Sequence, residues 1–137
     1  MAQDILLENR PATLTLPGGI KGYLVRAQID EVLGEIPCTT VEFMCTDLDL
    51  DLGWLVGERL SIALDAPKKK TRYFQGRCVS AEFLGASGSQ GYFRAEIRPW
   101  LWFLTQTINC RIFQDQTVIE ILREVFGAHG FSDFRDK

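Results

Sequence analysis

The sequence predicts a mainly β protein, a small antiparallel β-barrel followed by a C-terminal helix. Three observations carry that expectation. Apolar and polar residues alternate with a period of two in one segment after another up to Arg98. Glycine, proline and lysine clusters separate these segments at hairpin distances. Beyond Arg98 the apolar spacing becomes that of a helix. The number of strands favours closure, because closing a sheet removes its exposed edges.

Thr13 to Leu16 reads as a short strand, closed by Pro17-Gly18-Gly19. Tyr23 to Asp30 reads as a half-buried strand, with Tyr23, Val25, Ala27 and Ile29 on one face and Arg26, Gln28 and Asp30 on the other. Val32 to Pro37 is an irregular connection. Thr40 to Thr46 alternates again, with Val41, Phe43 and Cys45 on one side. Asp47 to Leu52 also alternates, but aspartates stacked on one strand face repel. Leu48, Leu50 and Leu52 are therefore expected to dock on the core from a loop or short helix. A calcium loop does not fit, because Leu52 stands where the EF-hand turn needs glycine.

Gly57 opens a strand that points Leu60, Ile62 and Leu64 inward. Pro67-Lys68-Lys69-Lys70 is a polar turn into a long strand, Thr71 to Leu84, in which Gly76 marks a bulge or bend. Gly85 to Gly91 reads as a flexible hairpin loop. Tyr92 to Arg98 returns with Phe93, Ala95 and Ile97 buried, which completes an antiparallel meander. Pro99 fits the first position of a helical turn that aligns Trp100, Phe103 and Leu104. Cys110 to Phe113 reads as a short strand. Thr117 and Glu120 stand at the N-cap and N3 of a capping box. Val118, Ile121, Leu122, Val125 and Phe126 form the apolar stripe of the helix that follows, and Gly127 or Gly130 ends it. The expectation is one domain over residues 1–137, with its terminal helix at about 117–130.

Composition narrows the function. The 137 residues carry 15 Lys and Arg against 18 Asp and Glu, a net charge of −3. That weak acidity argues against non-specific nucleic-acid binding, which needs a basic surface. No apolar run has the length of a membrane span, so stable membrane insertion is not expected. Met1 to Arg10 contains no apolar core of a signal peptide. The expectation is synthesis in the cytoplasm, with any export left to a machine that needs no cleaved leader. Cys38, Cys45, Cys78 and Cys110 form no C-x-x-C pair, so they read as reduced, core-type residues and not as a zinc site.

The catalytic inventory is thin, and neither a catalytic residue nor a cofactor or metal site is expected. His129 is the only histidine, at a predicted helix end, and reads as a solvent-facing residue before it reads as a general base. No phosphate-binding loop or metalloprotease motif is present. Glu82 and Glu96 lie on neighbouring predicted strands, as a glycosidase pair would, but exposed strand faces carry glutamate routinely. Lys68, Lys69 and Lys70 form the one basic run, a hairpin tip that could also meet an acidic partner surface. Trp100, Trp102 and Phe103 cannot all face one core from a single turn, which puts Trp102 at a subunit or domain boundary. Phe131 and Phe134 follow the last helix with no obvious element to cover them.

One series of segments resembles a known family. Arg72-Tyr73-Phe74-Gln75-Gly76 is followed by Arg98-Pro99-Trp100-Leu101-Trp102-Phe103-Leu104-Thr105, then by Cys110-Arg111-Ile112-Phe113-Gln114-Asp115-Gln116-Thr117 and Val118-Ile119-Glu120-Ile121-Leu122. The series resembles the N-terminal region of VgrG, the spike protein of bacterial type VI secretion systems. That region is itself similar to the hub protein of contractile phage tails. The similarity runs over residues 13 to 131 and is most specific from Arg98 to Leu122. It implies a trimer in which each protomer gives two related β-barrels, so that six barrels match the hexameric tube protein Hcp. It also implies contact with baseplate proteins and effectors. An OB-fold and a β-helical needle belong to the full family pattern, so the resemblance implies a fragment of a longer multi-domain chain. The alternatives are a phage tail hub proper and, from another class, a small β-barrel enzyme or ligand-binding module with a deep pocket. Lys68 to Lys70 and Gly85 to Gly91 are the hairpin tips expected near inter-subunit or tube contacts.

Overall fold

Alternation sets up strands because successive side chains leave a pleated backbone on opposite sides, so one row can be buried while the other stays in water. In the computed structural model, which describes residues 11–65, 70–132 and 134–135, this holds over six strands. They are β1 (Ala12–Thr15), β2 (Gly22–Asp30), β3 (Cys38–Cys45), β4 (Arg59–Leu64), β5 (Arg72–Ser87) and β6 (Gln90–Arg98). All pairings are antiparallel, in the order β1-β4-β5-β6-β3-β2. The two terminal strands of that order, β1 and β2, lie beside each other, so the sheet curls into a nearly closed barrel.

The barrel interior is filled by side chains. Val41, Phe43 and Cys45 of β3 face Phe93, Ala95 and Ile97 of β6, with Leu60 and Ile62 of β4, Cys78 of β5 and Leu14 of β1 completing the core. Phe43 stacks on Phe93 with ring centroids 5.5 Å apart, and Phe83 tilts onto Phe93 at 5.3 Å. Between β3 and β4 the chain forms a loop and the short helix α1 (Leu52–Leu55). Leu50 is buried and Leu52 packs against the core, as expected of a docking loop, whereas Leu48 is half exposed. The aspartates serve the backbone: Asp47 accepts from the N–H of Asp49, and Asp51 caps α1 by accepting from the N–H of Trp54.

Several expectations need correction. In β2 the buried residue is Leu24, with Val25 half exposed, because a bulge between Leu24 and Arg26 resets the alternation. Before the bulge Leu24 pairs with inward Phe43; after it Ala27 and Ile29 pair with inward Val41 and Thr39. Leu64, at the end of β4, is likewise half exposed. The glycine-rich loop is a tight two-residue turn, Gly88-Ser89, since β5 runs on to Ser87 and β6 begins at Gln90. Gly88 supplies a left-handed φ of 60° there. The bulges of β5 lie between Cys78 and Ser80 and between Phe83 and Gly85, while Gly76 stays in register opposite Leu60.

The chain divides into two compact units, Met1–Pro99 and Trp100–Lys137. The second holds α2 (Leu101–Leu104) and α3 (Val118–Ala128). Trp100 is the N-cap of α2, so Pro99 precedes the cap and does not occupy the first helical position. No strand forms over Cys110 to Phe113; that segment is irregular, and Cys110 is exposed. A single short run with no neighbouring edge has nothing to pair with. The capping box of α3 is present in full: Thr117 accepts from the N–H of Glu120, and Glu120 accepts from the N–H of Thr117 at 2.7 Å. Gly130, at a φ of 75°, ends the helix, with the N–H of Phe131 donating to the carbonyl of Phe126.

Candidate functional site

The predicted interface residues fall in both units. Lys68 and Lys69 lie outside the described residues. Lys70 is exposed at the entrance to β5. Around it Thr71 donates to Asp65 at 2.6 Å, Arg72 pairs with Glu31, and the Arg72 guanidinium lies 4.5 Å from the centre of the Phe74 ring. In the second unit Trp100 packs between Phe126 and Phe131, each at 4.9 Å, and Phe126 also meets Phe134 at 5.0 Å. The two phenylalanines that had no obvious cover in the sequence are thus partners in an aromatic cluster. Trp102 is half-buried and meets Phe103 edge to face at 5.3 Å. Elsewhere in this unit Ile108 and Ile112 are exposed, as are Val118 and Leu122 of the α3 stripe.

His129 is exposed and forms the C-cap of α3. Burial pushes the Cys78 thiol up to about 11, with its Sγ donating to the Ser80 carbonyl at 3.2 Å. Burial and then the charge of Glu96 raise Cys38 as well. Neither thiol has the lowered pKa of a nucleophile. Glu82 and Glu96 do share the outer face of the sheet, but each is held by an arginine: Arg94 donates to Glu82 at 2.7 Å, and Arg98 donates to Glu96 at 2.7 Å.

That outer face holds a feature sequence reading missed. Register places Arg26 of β2 opposite Glu42 of β3, Glu42 opposite Arg94 of β6, and Arg94 opposite Glu82 of β5. Four strands thus carry one transverse row of charges in the order Arg, Glu, Arg, Glu. Arg94 serves both of its neighbours, with Glu42 at 2.9 Å and Glu82 at 2.7 Å, and these hydrogen bonds keep its guanidinium firmly charged. Among the described residues, Arg26 has no ion-pair partner. Alternation revealed each of these residues as outward-facing, but only the pairing register puts them in line. Beside this row lie two shallow hollows, one lined by Thr40, Ser80, Ala81, Glu82, Arg94 and Glu96 (≈ 290 Å³) and one by Gln28, Thr40 and Glu42 with both arginines (≈ 300 Å³).

The seam of the barrel is a third surface. A cleft of ≈ 350 Å³ lies there, with Leu24, Ala27 and Ile29 of β2 on one wall and Ala12, Ile62 and Leu64 of β1 and β4 on the other.

Filled within and charged on its outer face, the first unit is a small, nearly closed antiparallel β-barrel. Comparison with known families agrees: the model described as phage tail baseplate hub (GPD) matches residues 30–137. The chain belongs to the phage tail baseplate hub family. It is VgrG-like in sequence. It is 38% identical over 113 residues to the type VI secretion system spike protein VgrG1c of Pseudomonas aeruginosa, covering 82% of this chain and 16% of that protein. It is 36% identical to VgrG1a of the same organism, covering 82% of this chain and 18% of the relative. The chain therefore spans less than a fifth of the length of these relatives. Among solved structures it is similar to the E. coli c3393 protein, described as a component of the type VI secretion system that resembles the T4 tail proteins gp27 and gp5. The TM-score is 0.69 at 17% identity, over 83% of this chain and 31% of that one. At that identity the likeness concerns the fold.

Proposed function

We propose that this chain forms one hub barrel at the base of a type VI secretion spike, a structural part and not a catalyst. The observation that carries this reading is the 38% identity to the spike protein VgrG1c over most of the chain. The filled interior supports it, since a packed, nearly closed barrel gives a stiff support. In this role the barrel assembles with other protomers as a trimer and docks on the hexameric tube protein Hcp, with baseplate proteins and effectors as further partners. In this role it is made in the cytoplasm and leaves through the secretion apparatus. Lys68, Lys69 and Lys70 form the basic tip that meets the tube, and Trp102 lies at a subunit boundary.

The test is binding of purified tube protein to the chain and to a variant with Lys68, Lys69 and Lys70 each changed to Glu. The expected result is binding by the native chain and a clear loss by the variant. No tube binding by the native chain counts against the whole reading; unchanged binding by the variant counts against the lysine tip alone. A second reading, the hub of a contractile phage tail, is favoured by the family match itself. The neighbouring genes separate the two: sheath and tube genes of a secretion system, or capsid and lysis genes.

A further inference from the structure

Soluble proteins rarely leave a contiguous apolar hollow open to water. The seam cleft is such a hollow. Ala27 and Ile29 of β2 form one wall and Ile62 and Leu64 of β4 the other, and at ≈ 350 Å³ it has room for more than one aliphatic side chain. These residues belong to the inner side of the sheet. Ala27 and Ile29 stand opposite buried Val41 and Thr39, and Leu64 follows buried Leu60 and Ile62 at a period of two. Yet Ala27 is exposed, Ile29 is only half-buried and Leu64 is 39% exposed. Inward-facing residues that stay wet mark a place where the core lacks a cover.

β1 is too short to supply it. Following the antiparallel pairings around the sheet makes β1 and β2 antiparallel to each other. Leu16, just past β1, lies against Gly22 at the start of β2. β1, with four residues against nine in β2, therefore flanks the first part of β2, and the chain that precedes it comes from beside the later part. The carbonyl of Pro11 accepts from the N–H of Asp65 at 2.6 Å, so the chain is held to the cleft wall back to that residue.

Residues 1–10 have the composition to fill the cleft. Their apolar run, Ile5-Leu6-Leu7, ends four residues before Pro11, a reach of at most ~14 Å. Glu8 follows the run directly. Arg26 is the charged residue on the cleft wall, and among the described residues it has no ion-pair partner. A segment tethered this closely has an effective concentration on the order of millimolar, so even a weak contact holds it in place.

We propose that the N-terminal segment of this chain docks in the seam cleft, with Leu6 and Leu7 against Ala27, Ile29 and Leu64 and the Glu8 carboxylate on Arg26. So placed, the segment completes the core at the seam and withholds that apolar surface from other chains. The proposal does not rest on the secretion reading, because the contact lies within one chain.

The test is nuclear magnetic resonance of the whole native chain with labelled methyl groups. Overhauser contacts are expected from Leu6 or Leu7 to Ile29 or Leu64. A mixture of chains labelled on different residue types separates contacts within a chain from contacts between copies, and only the former fit. An apolar fluorescent dye reports the uncovered cleft. Leu6→Ser combined with Leu7→Ser is expected to shift the balance toward the uncovered form by about tenfold or more and to raise dye binding, with circular dichroism unchanged. Glu8→Arg and Arg26→Glu should each weaken docking by ~1.5–5-fold, and the two together should restore it. A change at Arg26 that merely loosens the barrel is not rescued by Glu8→Arg. Native chains with no Overhauser contact between Leu6 or Leu7 and the cleft, or with such contacts only between copies, overturn the proposal. So does a native chain that binds dye as strongly as the leucine variant, which would leave the cleft open to an outside ligand. Absence of rescue in the combined charge variant overturns the Glu8–Arg26 contact.

Discussion

Gly76 offers a sharp test of how the barrel is packed. It lies in β5 directly opposite buried Leu60. A Cβ there would stand 2.4 Å from the carbonyl oxygen of Arg98, 2.8 Å from its carbonyl carbon and 2.9 Å from Cγ2 of Ile97. An ordinary carbon–oxygen contact is ~3.3–3.6 Å, so the methyl of Gly76→Ala overlaps backbone by about 1 Å. Backbone cannot rotate away as a side chain can, so β5 and β6 must part where Arg77 pairs with Arg98. Overpacking costs ~1–3 kcal/mol, and each ladder hydrogen bond lost there about 1 more. Reduced freedom of the unfolded chain returns ~0.4–1 kcal/mol. The net expectation is a loss of about 2–4 kcal/mol, or ~7–14 °C in Tm for a chain of this size. Gly22→Ala is the control. Its nearest atom, Leu16 Cδ1 at 2.4 Å, is the end of a flexible side chain, so the cost should stay near or below about 1 kcal/mol. Urea unfolding followed by circular dichroism and tryptophan fluorescence measures both. A Gly76→Ala chain within ~0.5 kcal/mol of native, or no less stable than Gly22→Ala, would refute the argument from backbone overlap.

Two further outcomes concern ionisation and capping. The Cys78 thiol is held up to about 11 by burial, so the folded chain keeps a proton that the unfolded chain loses near pH 9. Stability from this group is full below pH ~9 and falls as pH rises toward ~11, by on the order of 1 kcal/mol at pH 10 after allowance for screening. Urea unfolding in reductant at pH 8 and pH 10 should show this difference in the native chain and lose it in Cys78→Ala. At the other end, the backbone N–H of Thr117 and then its hydroxyl hold the Glu120 carboxyl below the usual range. The contribution of that charge to the cap is present above the ordinary carboxylate pKa and is lost as pH falls through the lowered one. Protection of the Val118–Glu120 amides, exchange taken relative to the intrinsic rate at the same pH, should fall on that acidification, and Thr117→Ala should produce the same fall at neutral pH, with a local cost of about 1 kcal/mol. Unchanged protection in either case would remove the capping box from the account of α3.

The fold was legible where a row of side chains is buried on one side only. Val41-Phe43-Cys45 and Phe93-Ala95-Ile97 could be placed inward because each strand has paired neighbours on both edges and no bulge upsets its period. β2 shows the limit. Its alternation is as clear, but the bulge after Leu24 transfers the buried position from Tyr23 and Val25 to Leu24, and nothing in Tyr23-Leu24-Val25-Arg26 announces a bulge. Cys110 to Phe113 shows the converse. Strand-like composition does not make a strand without an edge to pair with, and that depends on what the fold brings beside it. The cap at Thr117 was legible for the opposite reason, since its partners are three residues apart and need no tertiary context.

The candidate surfaces divide along the same line. The lysine tip could be singled out because a basic run is local in sequence. The charge row could not, because Arg26, Glu42, Glu82 and Arg94 come from four strands and align only through three registers. The stagger of β4 against β5 was hidden for the same reason: β4 pairs with β5 only as far as Arg77 while β5 runs on to Ser87, and no length of alternating sequence says where a neighbour ends. Isolated exposed ion pairs contribute little, ~0.2–1 kcal/mol each, so the row is weak evidence for stability of the barrel alone.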